Sequence, residues 1–392
     1  MNYMVRNVFK EQLLVRGITE TEIGEAIKNV EEITRRNIQK LGGEFPWMTT
    51  KQGIYEKSEN RPWTCGFWPG ILWLLSEISK DKCFENEADR LVKSFNHRIV
   101  NKISVANHDI GFLYTLSCVA AYQLTGSALA KETILLAADH LITMFREKGN
   151  YIDAWGNVSN VTAERNFYII DSLMNVPLLR KASEISGDNK YRDIADRHVN
   201  TVRNTIFRED GSTYHRALFS EDGSLLRCDT VQGNSENSCW TRGQAWGIYG
   251  FAIDYAYTKN EASKDCFKKV TDYFIAHLPE DRICYWDFDF ISGTEEPRDS
   301  SAAAIAACGL LEMYEHLPDG EERENYINVA LDIIASLIRS YSVKANMKEE
   351  GLILHGTGSK PHDIGVDECT IWGDYYYLEA LVRIIKKWDM YW

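Results

Sequence analysis

Asp171 stands inside the run NFYIIDSLMN, residues 166–175, where Ile169, Ile170, Leu173 and Met174 leave few directions facing water. An ionised carboxylate in such a setting must be compensated or useful. A second carboxylate follows an imidazole in His108-Asp109, and further on stand His215, Gln232 and Arg242, with Asp299 and Asp374 at later helix starts. Tryptophans recur among them: Trp47, Trp63, Trp155, Trp240, Trp246, Trp286 and Trp372. Indole faces stack on the apolar faces of sugar rings, although any single large aromatic is as often a filler of loop cores. Two carboxylates, an imidazole, an arginine and stacking aromatics form a set suited to acid/base work on an acidic sugar. For Asp109 the plain alternative is capping of a helix start. For Asp171, placed about five residues into an expected helix at 166–183, it is a buried bond to a neighbour such as Arg165 or to a backbone amide.

Other chemistries lack their motifs. The sequence has no Gly-x-x-x-x-Gly-Lys-Ser/Thr, Gly-x-Gly-x-x-Gly, His-Glu-x-x-His or Gly-x-Ser-x-Gly, so nucleotide, nicotinamide, zinc and serine-hydrolase readings have no support. The nine cysteines are scattered, without Cys-x-x-Cys pairs or zinc-like Cys/His spacing, and read as reduced, mostly buried thiols. The formal net charge of −13, with no basic stripe, argues against nucleic acid or an anionic membrane as partner. The start MNYMVRNVFKEQLLVRG has no signal-peptide pattern, and no segment approaches the roughly 20 apolar residues of a membrane span. These features lead to the expectation of a cytoplasmic protein without metal or organic cofactor, a monomer or weak homo-oligomer.

The elements that must position these groups are helices. Apolar periodicity predicts twelve, near residues 21–41, 67–80, 85–101, 109–125, 128–146, 166–183, 188–206, 241–257, 262–277, 299–316, 322–342 and 372–387. Links after the even-numbered helices are short, whereas most links after the odd-numbered ones are long: 42–66, 147–165, 207–240, 278–298 and 343–371. In an up-and-down array this alternation gathers the long loops, which in compact domains are usually functional, at one end. Six antiparallel hairpins fit an all-α (α/α)6 barrel, a single catalytic domain over 1–392, with the even helices inside. SSAAAIAACGLLEMY is rich in small residues and GQAWGIYGFAIDYAY has almost no charge, as helices packed on both sides require. The inner helices then begin at the loop-rich end, with their positive dipole ends towards the cavity.

Several segments together resemble the unsaturated glucuronyl hydrolases of glycoside hydrolase family 88: RPWTCGFWPGILWLL, NHDIGFLY, NFYIIDSLMNVPLL, GSTYHRA, VQGNSENSCWTRGQAWGIYGF, RDSSAAAIAACGLLE and GVDECTIWGDYYYLEAL, in order over residues 61–380. The resemblance implies an (α/α)6 barrel acting on lyase-generated glycosaminoglycan or similar oligosaccharides that end in a Δ4,5-unsaturated uronic acid. The family hydrates that double bond, by a proton to C4 and water to C5, and the resulting hemiketal opens to release the aglycone. By resemblance Asp171 is the general acid and base, kept protonated near neutral pH by burial and a like charge nearby. Asp109 is the second essential carboxylate, oriented by His108. His215, Gln232 and Arg242 surround the uronate and the reacting carbons, with the Arg242 fork on the carboxylate. Trp63, Trp155, Trp240 and Trp246 are the stacking walls.

One departure bears on specificity. Members that prefer sulfated substrates carry a Ser-x-x-Ser-x-Lys loop before GVDE, and this chain has HGTGSKPHDIGVDE, with Ser359 and Lys360 as the candidate sulfate contacts. Three rivals stay open at this point. They are an unsaturated galacturonyl or rhamnogalacturonyl hydrolase of pectin fragments, a toroidal sugar epimerase using paired histidines, and a non-enzymatic carbohydrate-binding protein.

Overall fold

Caps and apolar stripes set the helix boundaries. Thr19 opens α2 (Glu20–Leu41) with a capping box closed by Glu22, and Gly42 ends it in the left-handed conformation at φ 59°. Asp81, Asp188 and Asn260 each cap the start of α4 (Lys82–Val100), α9 (Asn189–Thr205) and α11 (Glu261–Ala276) with a side-chain oxygen that accepts one backbone N–H. The computed structural model describes residues 3–155 and 166–392.

Six helices form the outer ring: α2, α4, α7 (Ala128–Ile142), α9, α11 and α13 (Glu321–Ser336). The inner ring holds α3 (Phe67–Ser79), the run from α5 (Ile110–Tyr114) to α6 (Ala120–Thr125), α8 (Pro177–Ser186), α10 (Thr241–Thr258), α12 (Ser300–Tyr314) and α14 (Ile371–Ile385). Each inner element packs on the next, and α14 packs on α3 to close the ring. This is the (α/α)6 barrel. Every residue of α12 from Ser300 to Tyr314 is buried, the signature of a helix packed on all sides. A thirteenth helix, α1 (Asn7–Val15), absent from the expected set, lies against α13.

Two inner elements differ from expectation. The run 109–125 is broken by a π-helical segment at Thr115–Val119. The stretch 166–183 is not one helix. It comprises strand β5 (Phe167–Ile169), a 3₁₀ turn at Ile170–Met174 and then α8. The long loops carry the other small strands: β1 (Phe45–Pro46) with β2 (Lys57–Ser58), β3 (Phe145–Arg146) with β4 (Tyr151–Ile152), β6 (Arg216–Phe219) with β7 (Leu225–Asp229), and β8 (Gly356–Ser359) with β9 (Ile364–Glu368). β5 joins β6 and β7 as an antiparallel three-stranded sheet. Among the described residues no helix is long and apolar enough to cross a membrane.

Candidate active site

The sheet β5-β6-β7 brings Asp171 and His215 together. Ile169 pairs with Arg216, and just beyond the strand ends the Ile170 N–H donates to the His215 carbonyl at 2.9 Å. Asp171 follows at once in the 3₁₀ turn, with its Oδ2 3.8 Å from His215 Nε2. Asp109 arrives from the start of α5. It makes no capping bond of its own, so the capping alternative fails. Asn175 joins the two turns: its Oδ1 accepts from Phe112 N–H at 2.9 Å and its Nδ2 donates to the Asp171 carbonyl at 3.2 Å. The Arg165 alternative for Asp171 lies outside the described residues.

Both carboxyls line a cavity of about 500 Å³ at the loop-rich end, and each is only 7% exposed. Burial pushes the Asp171 carboxyl up to about 6, against the lowering influence of Arg242, its own backbone amide and the Trp246 indole N–H. Burial, with the neighbouring Asp171 charge, pushes Asp109 higher, to about 8, although Arg98 and Asn175 pull it down. The upward shift expected for Asp171 is present, and Asp109 is pushed up beside it.

Aromatic rings enclose the cavity. Trp63 stacks on Trp372 at 5.5 Å between centroids. The Arg242 guanidinium lies between Trp372 at 5.2 Å and Trp240 at 4.5 Å, and Trp240 meets His215 at 4.7 Å. Trp155, 48% exposed, stands at the rim on the lining of the cavity. Such a wall presents flat apolar faces to a sugar ring, with two carboxyls beside it.

The comparisons with known proteins agree with this geometry. The model of Glycosyl Hydrolase Family 88 matches residues 37–389. The chain belongs to glycoside hydrolase family 88. It is 42% identical, over 96% of its length and 95% of the relative's, to the unsaturated chondroitin disaccharide hydrolase of Streptococcus pneumoniae strain ATCC BAA-255 / R6. The crystal structure of the unsaturated glucuronyl hydrolase from Streptococcus agalactiae superposes with TM-score 0.93 at 41% identity, covering 100% of this chain and 98% of that one. A mutant of that enzyme complexed with dGlcA-GalNAc6S superposes with TM-score 0.86 at 39% identity, over 100% and 98% of the two chains.

Of the residues singled out in the sequence, Asp109, Asp171, Trp63, Trp155, His215, Gln232, Trp240, Arg242 and Ser359 all line the cavity. Other expected residues lie elsewhere. Trp246 is not a stacking wall: it is fully buried in α10, packed on Phe112 at 5.3 Å and Tyr376 at 5.6 Å. His108 is fully buried behind the lining, with Nε2 3.5 Å from Asp109 Oδ1. Burial pushes its imidazole down to about 3, so it faces Asp109 as a neutral ring. Lys360 does not line the cavity, although His362 from the same turn between β8 and β9 does.

The Arg242 fork is not open for a substrate carboxylate. Nη1 donates to Asp299 Oδ2 at 2.5 Å and to the Thr357 carbonyl, while Nη2 donates to Gln232 Oε1 at 3.2 Å and to the Gly358 carbonyl. Asp299 in turn caps α12 through Ser301 and Ala302. Asp374 is likewise structural: it accepts from Leu352, Ile353 and the Tyr55 hydroxyl. Lining residues that the motifs left unassigned include Asn107, Arg216, His362 and Ile364. Asn107 sits inside the quoted NHD segment, and His362 and Ile364 belong to a long loop already placed at this end, so position was the available signal. Arg216 forms a two-pronged pair with Asp229, 2.7 Å at each prong.

Proposed function

We propose that this protein removes the terminal Δ4,5-unsaturated glucuronic acid from lyase-generated glycosaminoglycan disaccharides and short oligosaccharides. The observation that carries this reading is the pair of buried carboxyls, Asp109 and Asp171, raised to about 8 and about 6, on the lining of one tryptophan-walled cavity. Near neutral pH the pair holds one proton. A substrate carboxylate entering beside Asp171 adds like charge and favours the proton on that oxygen. Asp171 then delivers it to C4, and as the carboxylate it draws a proton from the water that adds to C5. The balance is one water consumed, with the hemiketal at C5 opening and the aglycone leaving as its free hydroxyl. Trp63, Trp240 and Trp372 supply the ring face on which the flattened, unsaturated sugar lies.

The mouth supports an unsulfated or lightly sulfated aglycone. Ser359, His362 and Ile364 line this side, with the Ser359 hydroxyl 2.7 Å from His362 Nδ1, while Lys360 lies off the lining. The test is the loss of ultraviolet absorbance of the C4=C5 bond, with unsaturated chondroitin, hyaluronan, heparin and pectin disaccharides. Decay on a glucuronyl substrate, abolished in Asp171→Asn, is the expected result. Decay on the pectin disaccharide alone makes the enzyme a galacturonyl hydrolase, and no decay on any of them refutes the reading.

A further inference from the structure

The outer helix α9 reaches the turn that carries Asp171 through His198. This residue is fully buried, its ring edge-on to Tyr168 at 5.6 Å between centroids. Its Nδ1 accepts the Ile152 N–H at 3.0 Å. A backbone N–H can only donate, so the ring's proton resides on Nε2. Nε2 lies 2.8 Å from the Ser172 hydroxyl oxygen, and there the imidazole donates and Ser172 accepts. Burial pushes His198 down to about 3, which keeps the ring neutral and the direction of donation fixed.

Both ends of this link belong to segments that carry the site. Ser172 follows Asp171 in the 3₁₀ turn Ile170–Met174, where Ile169 at the head offers no capping oxygen. A 3₁₀ turn has poorer hydrogen-bond geometry than an α-helix, so an outside anchor counts for more there. Ile152 ends β4. Two residues on, Ala154 donates to the Phe167 carbonyl at 2.9 Å and accepts the His108 N–H at 3.0 Å. The segment that fixes the imidazole therefore also holds the residue before Asp109.

We propose that His198 is a positioning residue for the double-bond hydration: its Nε2–H fixes the Ser172 hydroxyl, and with it the turn that aims Asp171 at the sugar. The inference rests on Asp171 being the acid. His198 is not on the cavity lining, so its effect passes through Ser172 and not through contact with substrate. A plain core histidine would be missed equally at either nitrogen, whereas this role belongs to Nε2 alone.

The two nitrogens are separable by substitution. His198→Gln places an amide NH2 where Nε2 stands and keeps the donation to Ser172. His198→Asn places its carbonyl oxygen where Nδ1 stands, keeps the Ile152 bond and falls short of Ser172. Ser172→Ala removes the acceptor alone. The absorbance assay on an unsaturated chondroitin disaccharide, at a temperature where circular dichroism shows each variant folded, gives kcat and KM. His198→Asn and Ser172→Ala are expected to lower kcat about tenfold with KM within about twofold, since the loss falls on the orientation of the acid and not on binding. His198→Gln is expected to keep near wild-type kcat, and the His198→Asn/Ser172→Ala double variant to be no worse than the lower single one. Wild-type kcat in Ser172→Ala overturns the inference, even where both His198 variants fail to fold. So does the reverse order, with His198→Asn active and His198→Gln impaired, which would give the imidazole to β4 alone. Full activity in Asp171→Asn instead refutes the acid assignment, whereas an inactive Asp171→Asn beside a fully active Ser172→Ala refutes only the role of His198.

Discussion

Gly111 and Asn175 touch so closely that a Cβ on Gly111 would lie 2.2 Å from the Asn175 Cα. The contact sets the turn that carries Asp109 directly against the turn that carries Asp171, and Asn175 reaches both segments through Phe112 N–H and the Asp171 carbonyl. Gly111→Ala must therefore push the two carboxyls apart. A displacement approaching 1 Å at a catalytic group lowers kcat by about 10²-fold, and forced overpacking costs about 1–3 kcal/mol. Steady-state kinetics beside a melting curve checks both, and near wild-type kcat would show that the spacing is not critical.

The two raised carboxyls set the pH dependence. The working form carries one proton on the pair, so kcat/KM is expected to be bell-shaped, with limbs near 6 and 8 that belong to the coupled carboxyls together. In Asp109→Asn only Asp171 remains to hold that proton, and it loses it near 6. The residual activity should then fall above about 6 instead of about 8. A pH-rate profile of the variant with its alkaline limb still near 8 would assign that limb to another group.

The same burial gives a stability prediction. Asp109 has a folded value of about 8, above the roughly 3.9 of an unfolded chain. A raised folded value means a contribution fully present below the unfolded value and lost as pH climbs through about 8. Asp109→Asn removes the buried charge, so the variant should melt several degrees above wild type at pH 9 and alongside it at pH 4. Equal melting temperatures at both pH values would contradict the burial assigned to Asp109.

The hairpins and the end of the barrel that holds the site were legible because they depend on local pattern and loop length. The poly-alanine face of α12 and the uncharged α10 announce burial on all sides. The Asp171 segment misled because FYII is a short apolar run that fits a buried strand or a helix equally well. What decides is pairing with β6, distant in sequence and invisible to periodicity. The aromatic wall followed from the tryptophans themselves, except that Trp246 points to the interior on a helix whose every face is buried. Arg242 was correctly placed on the lining, but its commitment to Asp299 and the carbonyls of Thr357 and Gly358 is a tertiary fact.

That commitment changes what Arg242 is expected to do. Removing the guanidinium leaves Asp299 buried with its charge uncompensated, a change that costs about 3–5 kcal/mol in typical buried pairs. Arg242→Ala should therefore lower the melting temperature as well as kcat/KM. Arg242→Lys should rescue little, since one ammonium cannot serve both sides of a planar fork. An unaltered melting temperature with only KM raised would restore the picture of an arginine free to grip the substrate carboxylate.

Specificity for the aglycone turns on which side chains of the β8-β9 turn reach the cavity. Counted from Ser359, the Ser-x-x-Ser-x-Lys spacing falls on His362 and Ile364, and all three line the mouth. Ile364 is 43% exposed there, so the third place of the pattern presents a methyl-rich surface where a sulfate would seek a cation. The wild type should accordingly prefer an unsulfated over a 6-sulfated unsaturated chondroitin disaccharide. Ile364→Lys, at a site already open to solvent, should leave the fold intact and raise kcat/KM for the sulfated substrate by about tenfold, the value of roughly 1.4 kcal/mol for a charge-assisted contact. Parallel absorbance assays on the two disaccharides give the ratio directly. A ratio that Ile364→Lys does not move would place the sulfate away from this turn.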